Sequence, residues 1–207
     1  MKIVQLQLTG TSPYSQSRPH RDEKHSRELP EAYEQRTWRS RLHVDDDGYI
    51  VLPGIALKIC LAEAAKYASK QIPGRGKSTF TKHFESGILI RESPRILDTQ
   101  GNPLHQDQCG EGEKPFVYGD WIFTPSDGVP GGGKRVYKCY PVVRTGWSAQ
   151  IEVVIADDII TESVLVEHLQ VAGTLIGLGR WRVRNRGMYG TFNTNLVNFE
   201  DLGGLVA

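Results

Sequence analysis

Four arginines recur at every second position towards the end of the chain. They are Arg180, Arg182, Arg184 and Arg186, within Gly177-Leu-Gly-Arg-Trp-Arg-Val-Arg-Asn-Arg-Gly-Met-Tyr-Gly-Thr-Phe192. In extended backbone a period of two puts the four guanidinium groups on one face and Trp181 and Val183 on the other. Planar guanidinium forks match phosphate oxygens, and glycines let main-chain amides approach the same anion. Trp181 and Tyr189 add planes on which bases stack. The chemistry implied is the holding of a phosphodiester strand. An exposed edge strand also carries charge as protection against aggregation, but it has no need of the glycines.

Further cations stand in two other zones. The first holds Arg18, Arg21, Lys24 and Arg27, then Arg36, Arg39 and Arg41, diluted by Asp22, Glu23, Glu28, Glu31 and Glu34. The second holds Arg75, Lys77 and Lys82. Gly74-Arg-Gly-Lys-Ser-Thr79 mimics an ATP-binding phosphate loop, but that loop needs a glycine where Gln71 stands and follows a strand rather than a helix. It is expected to be a basic loop touching a nucleic-acid backbone through Arg75 and Lys77. The acids are segregated: Thr145 to Gly179 contains no lysine or arginine, yet holds Glu152, Asp157, Asp158, Glu162 and Glu167. The net charge of +1 hides this separation, and phosphate binding follows local basic density, not the total.

Other reactive side chains point less sharply. None of the six histidines has the HxxxH or HxH spacing of a metal site. His20 and His25 share a loop with Arg21 and Lys24, a grouping that fits metal-independent cleavage of RNA by general acid–base catalysis. His168 falls on an apolar helical stripe and reads as a core residue. Asp45-Asp46-Asp47 reads as a solvated turn. Cys60, Cys109 and Cys139 are isolated, which predicts reduced thiols and neither a disulfide framework nor structural zinc. No GxSxG or HExxH element occurs, and no cofactor or metal is expected.

The elements that must position these residues follow from the apolar pattern. Hydrophobic residues make up 39% and charged residues 24% of 207, which argues against disorder and against a membrane protein. With no apolar run near a span's length and no signal-peptide core, a cytoplasmic protein is expected. Glycine (22) and proline (11) exclude a tight helical bundle. Lys2 to Leu8 alternates as a first strand, and Tyr14 to Arg36 reads as a long polar loop. Thr37 to Val44 is predicted as a short strand, with Trp38 and Leu42 opposite Arg39, Arg41 and His43. Pro53 and Gly54 open a helix of about 18 residues that buries Ile55, Leu57, Leu61, Ala64, Ala65 and Ala68. Strands at 87–91, 136–143, 148–155 and 192–199 follow, with a second helix from the Thr161 cap to Ile176. The stretch 93–140 is predicted to form a projecting β-hairpin with apolar islands at 116–118 and 121–123. The expected fold is α+β, a ferredoxin or RNA-recognition-like antiparallel sheet with two helices. It is read as one domain over 1–207, with insertions at about 14–36 and 93–140.

Three short motifs carry a resemblance. The first strand running into Leu8-Thr-Gly-Thr-Ser-Pro13, the segment Ile50-Val-Leu-Pro-Gly-Ile-Ala-Leu-Lys58 opening a helix, and the glycine-rich Gly177 to Gly190 resemble the RAMP superfamily of CRISPR proteins. Within it the chain is most similar to the backbone subunits that polymerise along a guide RNA. The resemblance implies a non-catalytic ribonucleoprotein component of antiviral defence, binding single-stranded RNA (or DNA). Its further partners would be copies of itself in a helical row and other effector-complex subunits. Lys58, at a helix start whose dipole favours anions, joins Arg18, Arg21, Arg39, Arg41, Arg75, Lys77 and the residues of 180–189 as the expected nucleic-acid contacts. The loop 14–36 departs from the family in having no clear counterpart of the aspartate that cuts target RNA in some of these subunits, Asp22 being the nearest candidate. Two rivals stand beside this reading: a guide-processing endoribonuclease on the same scaffold, and an assembly protein whose arginines meet acidic protein surfaces.

Overall fold

The computed structural model describes residues 1–126 and 133–203. The first strand, β1 (Lys2–Gly10), is central because its alternation leaves one side wholly apolar: Val4, Leu6 and Leu8 are buried. It pairs antiparallel with β6 (Ser148–Ile155) on one side and β7 (Phe192–Asp201) on the other. The short β3 (Ile88–Leu89) pairs with β6, giving the order β3-β6-β1-β7. Two helices, α2 (Gly54–Ala68) and α4 (Glu162–Val171), join these strands in the sequence βαββαβ. Leu57, Leu61, Ala64 and Ala65 of α2, with Leu165 and Leu169 of α4, share one buried cluster with the apolar side of β1 and β6. This is the ferredoxin or RNA-recognition-like α+β arrangement.

A second sheet is inserted into that body. The hairpin β4 (Val117–Pro125) and β5 (Arg135–Val143) pairs in register from Val117↔Val143 to Pro125↔Arg135. The two-residue β2 (Tyr14–Ser15) adds to β5, so the order is β2-β5-β4. The predicted hairpin of 93–140 is therefore shorter, and its tip lies outside the described residues. Its first part does not project. Ile96 and Leu104 are buried, and Leu97 bridges Ser148, so 94–106 lies along the body.

Three other expectations are corrected. The loop over 14–36 contains β2 and an eight-residue helix, α1 (Pro30–Thr37), started by proline at its first turn. The predicted strand over 37–44 is a 3-10 turn, Trp38–Arg41. Leu42 follows that turn in extended backbone, so the two burials that suggested alternation come from a turn and the residue after it. Helix α2 ends at Ala68, where Ser69 turns left-handed (φ 47°), and Ile55 and Ala68 are exposed while Cys60 takes a place inside. Among the described residues no helix is long and apolar enough to cross a membrane.

His168 lies in the core. Its ring stacks on Phe84 of α3 (Thr81–Ser86), centroids 4.4 Å apart, and meets Phe80 edge-on. Nδ1–H donates to Val164 O at 2.7 Å, while Nε2 is buried without a partner. Burial holds its pKa below the ordinary value; the Val164 bond and Glu167 oppose this, and Lys70 adds to it. Below about pH 6.5 an unfolded His168 binds a proton that the folded one refuses, so stability falls as pH falls. His43, also lowered by burial, acts in the same direction. The melting temperature is expected to drop between about pH 7 and 5. His168→Leu flattens that slope whatever its absolute stability, and an unchanged slope refutes the assignment.

Candidate nucleic-acid interface

The arginine segment is not a strand. Trp181 (φ 55°) and Arg186 (φ 63°) are left-handed, Val183–Asn185 forms a 3-10 turn, and Tyr189 N–H closes the loop on Trp181 O. Glycine is required at its two necks. A Cβ on Gly179 would lie 2.3 Å from Ser15 O, and one on Gly190 would lie 1.9 Å from Leu178 O. Arg180 N–H donates to Ser15 O and Gly190 N–H to Pro13 O, so the loop is stitched to the start of β2.

The four arginines therefore do different things, and the expectation of one shared face is overturned. Arg182 pairs with Glu63 of α2 at 2.9 Å, and Arg184 lies over the ring of Tyr67. Arg186 is exposed. Arg180 is half-buried with its guanidinium 3.6 Å from the ring centroid of Tyr140 on β5. Arg41 lies against the same ring at 4.9 Å, but Arg41 has a carboxylate, Glu34, at 2.9 Å. Arg180 has none among the described residues, and burial holds its pKa below the ordinary value. A partly desolvated cation without a counter-ion is an anion-binding group.

Arg180 opens into a groove of about 520 Å³ between hairpin and loop, shared with Phe123, Arg135, Trp181 and Arg186. Three cations and two aromatic rings thus meet across two elements distant in sequence. Trp181 is 42% exposed although its left-handed backbone costs about 1–2 kcal/mol, strain that holds an indole at the surface. Tyr189 O–H donates to Asp120 Oδ2 at 3.0 Å, tying the loop to β4. Burial and Asp120 push its phenol well up, so it remains a neutral donor. Tyr189 is thus a structural tie rather than an open stacking plane.

The remaining expected contacts separate into free and committed. Arg75 and Lys77 are exposed on the turn after α2, leaving the end of the helix where Arg184 meets Tyr67. Arg18 and Arg21 are exposed in the loop before α1, beside a separate pocket with His20 and Ser40. Arg39 is committed to structure, donating twice to Cys109 O (3.1 and 2.8 Å) and lying over Trp38. Lys58 is half-buried one turn into α2, and at the helix start Gly54 N–H already donates to the Ser93 hydroxyl. That amide is thus engaged within the chain, while the Lys58 ammonium has no carboxylate partner among the described residues. Asp45 and Asp47 both pair with Arg95 at 2.6 Å. Arg135 and its contact with Phe123 were missed by sequence reading. The signal is the cross-strand register, which sequence spacing alone does not contain.

The open face of the main sheet offers no second interface of this type. Facing away from the helices, β1 shows Ile3, Gln5, Gln7 and Thr9, and its partner β6 shows Ser148, Gln150 and Glu152, with Val154 buried at its end. These positions carry no aromatic ring and no cation, whereas RNA-recognition modules stack bases on aromatics of that face. The three cysteines are buried and free, and no cluster of metal-binding side chains is found among the described residues.

Fold and site together define an α+β protein of RNA-recognition type with a basic, aromatic groove set off the sheet. No family model matches the chain, and no curated protein does. Its fold is similar to that of a chain in the cryo-EM structure of the Type III-B Cmr-beta bound to cognate target RNA. The TM-score is 0.50 at 11% identity, over 96% of this chain and 60% of that one. The chain thus spans about three-fifths of the length of the protein it matches, and the likeness is one of fold.

The two arginines on Tyr140 are expected to behave oppositely. Arg41→Leu strands the buried Glu34 carboxylate and costs about 3–5 kcal/mol. Arg180→Leu removes a cation that has no carboxylate partner among the described residues and leaves stability within about 1 kcal/mol of the parent. Urea midpoints of the two variants check this; equal losses would mean that Arg180 is structural.

Proposed function

We propose that the chain is a single-stranded RNA-binding protein of RAMP type that aligns copy after copy along its ligand as a backbone subunit. The half-buried Arg180, without a counter-ion in a groove that also holds Arg135, Arg186, Trp181 and Phe123, carries this reading. A phosphate supplies the missing charge, and the exposed rings accept bases whose faces are free only in a single strand. The target RNA bound by the structural neighbour favours RNA over DNA and favours company with other subunits. The groove is read as binding without cutting: the groups facing it are arginines, aromatic or apolar side chains and the neutral Thr124 and Asn185, with no acid–base pair among the described residues. Continuity of the cations through Arg184 to Arg75 and Lys77 suits a strand longer than the groove.

Alignment in a row is supported by the separation of charge. The exposed acid Glu162 lies on α4, where Glu167 is already paired with Lys70, whereas the free cations lie on the hairpin, the arginine loop and the loop before α1. Opposite patches on separate surfaces favour head-to-tail contacts, which form an open row when they do not close. The hairpin adds exposed Trp121, Phe123 and Tyr137 for apolar contact between neighbours.

Changing Arg180, Arg184 and Arg186 to Ala together is expected to weaken binding of a labelled single-stranded RNA. The slope of log K against log salt should flatten by up to about one unit for each phosphate that the variant no longer neutralises. Undiminished binding by the folded variant rejects the groove. Trp121→Ala is expected to abolish cooperative binding on long strands while leaving binding of one site's length intact. Protein that binds long RNA without cooperativity, and remains monomeric there, rejects the row.

A further inference from the structure

Strand β7 is the outer strand of the main sheet: β1 occupies one of its edges, and no strand among the described residues pairs with the other. Sheets blunt such an edge by keeping it short or by placing lysine or proline on it. The opposite edge strand, β3, is two residues long. β7 has ten residues, none of them lysine, arginine or proline. Its one irregularity is a register shift at Val197, which leaves 192–196 and 198–201 as two regular stretches. Asp201, Phe199, Leu196 and Thr194 stand opposite Lys2, Val4, Leu6 and Leu8, so all four face the side of the sheet that carries the helices. Each stretch borders a depression on that side. Beside the first, a slot of about 580 Å³ runs between β7 and α4, with walls that include Val166, Leu169 and Leu196. Val166 is 46% exposed, so the slot is open to an apolar side chain. Beside the second, a pocket of about 480 Å³ holds Lys2, Asp158, Glu162, Phe199 and Asp201. Lys2 is paired with Asp158 at 3.3 Å, whereas Glu162 and Asp201 have no cation among the described residues.

We infer that this edge is a docking site for an extended, basic peptide of another protein, which adds to the sheet as a strand antiparallel to β7. In such an addition main-chain hydrogen bonds supply affinity, and pockets for alternate side chains supply selectivity. Antiparallel pairing fixes the order of the peptide's chemistry. The residue opposite Asp201 comes first, so a lysine or arginine leads and meets the free carboxylates of Glu162 and Asp201. Every second side chain after it turns to the same side, and those opposite Leu196 and Thr194 enter the slot against Val166, so they are apolar. Within this chain the strand that carries cations, β5, turns its Arg135 into the nucleic-acid groove instead, onto Phe123. The docking edge shares no lining residue with that groove, so occupancy of one is independent of the other.

The probe is a fluorescein-labelled peptide of two lysines followed by alternating threonine and valine, added to the purified chain at low salt. The expected result is saturable binding, with amide hydrogen exchange slowed in 192–201. Glutamates in place of the two lysines weaken binding by about tenfold or more. N-methylation of one alternate set of peptide amides, the set that faces β7, abolishes binding, and N-methylation of the other set leaves it. Val166→Arg fills the slot and lowers affinity by about tenfold or more with the melting temperature unchanged. Glu162→Gln together with Asp201→Asn removes the preference for the lysine probe over the glutamate probe, which a loss of sheet structure would not do. A lysine probe that binds no better than the glutamate probe overturns the inference, as does binding that leaves exchange in 192–201 unchanged. A free chain that is already dimeric, with 192–201 protected until it is diluted to monomer, gives the edge to a second copy and overturns it equally.

Discussion

The ring of Tyr140 is where three segments distant in sequence are made to agree. It stands on β5 and receives Arg41 from the turn after α1 and Arg180 from the loop after α4. The electrostatics of the junction are unequal by construction. Glu34 satisfies Arg41 twice, and the same carboxylate accepts the N–H of Cys139 at 3.1 Å on a stretch of β5 that β2 does not cover. One buried acid thus closes an open strand edge and neutralises one of two cations. The other cation keeps its charge, and it is the one that opens into the groove.

This arrangement decides where the basic and aromatic surface of the fold forms. The main sheet is occupied on one side by two helices, and on the other it presents amides and a carboxylate. The basic and aromatic surface is instead assembled where the inserted hairpin meets the arginine loop. The insertion is anchored by a short path: β1 ends at Gly10 and β2 begins at Tyr14, so the second sheet is tied to the first within a few residues. Trp147, fully buried, donates to Ser12 O across that path and packs against Tyr14. Any tilt of the hairpin relative to the body would have to break this contact, so the width of the groove is set by core packing.

The loop over 16–41 shows how polar residues can hold a shape without a core. Its ion pairs, Arg36 with Glu28 and Arg41 with Glu34, are reinforced by donations to main-chain carbonyls. The Glu28 carboxyl is held at about 2 by Arg36. Surface ion pairs are weak one at a time. Here several converge on one helix, α1, whose own sequence is too polar to be held by burial. The four cations left unpaired among the described residues of that loop, Arg18, Arg21, Lys24 and Arg27, are the ones available to a ligand.

Sequence periodicity was sufficient for the body. Alternation in 2–8 and 148–155, the Pro-Gly helix start at 53–54 and the Thr161 cap each have one local solution that buries apolar area, and the βαββαβ order follows. It also marked the loop whose glycines the structure requires, at 179 and 190. It was insufficient wherever a residue's role depends on what arrives from elsewhere in the chain. Period two in 180–186 did not make a strand, because close approach to Ser15 and Leu178 demands glycine geometry at 179 and 190 and bends the chain between them. The helix α1 was invisible to an apolar count because ion pairs, not burial, hold it. Which arginine is free was undecidable from identity alone: Arg39, Arg41, Arg180 and Arg182 look alike in sequence. A carbonyl at Cys109 engages Arg39, and carboxylates at Glu34 and Glu63 neutralise Arg41 and Arg182. Only the tertiary structure, by bringing those acceptors close and bringing no carboxylate among the described residues to Arg180, selects the fourth.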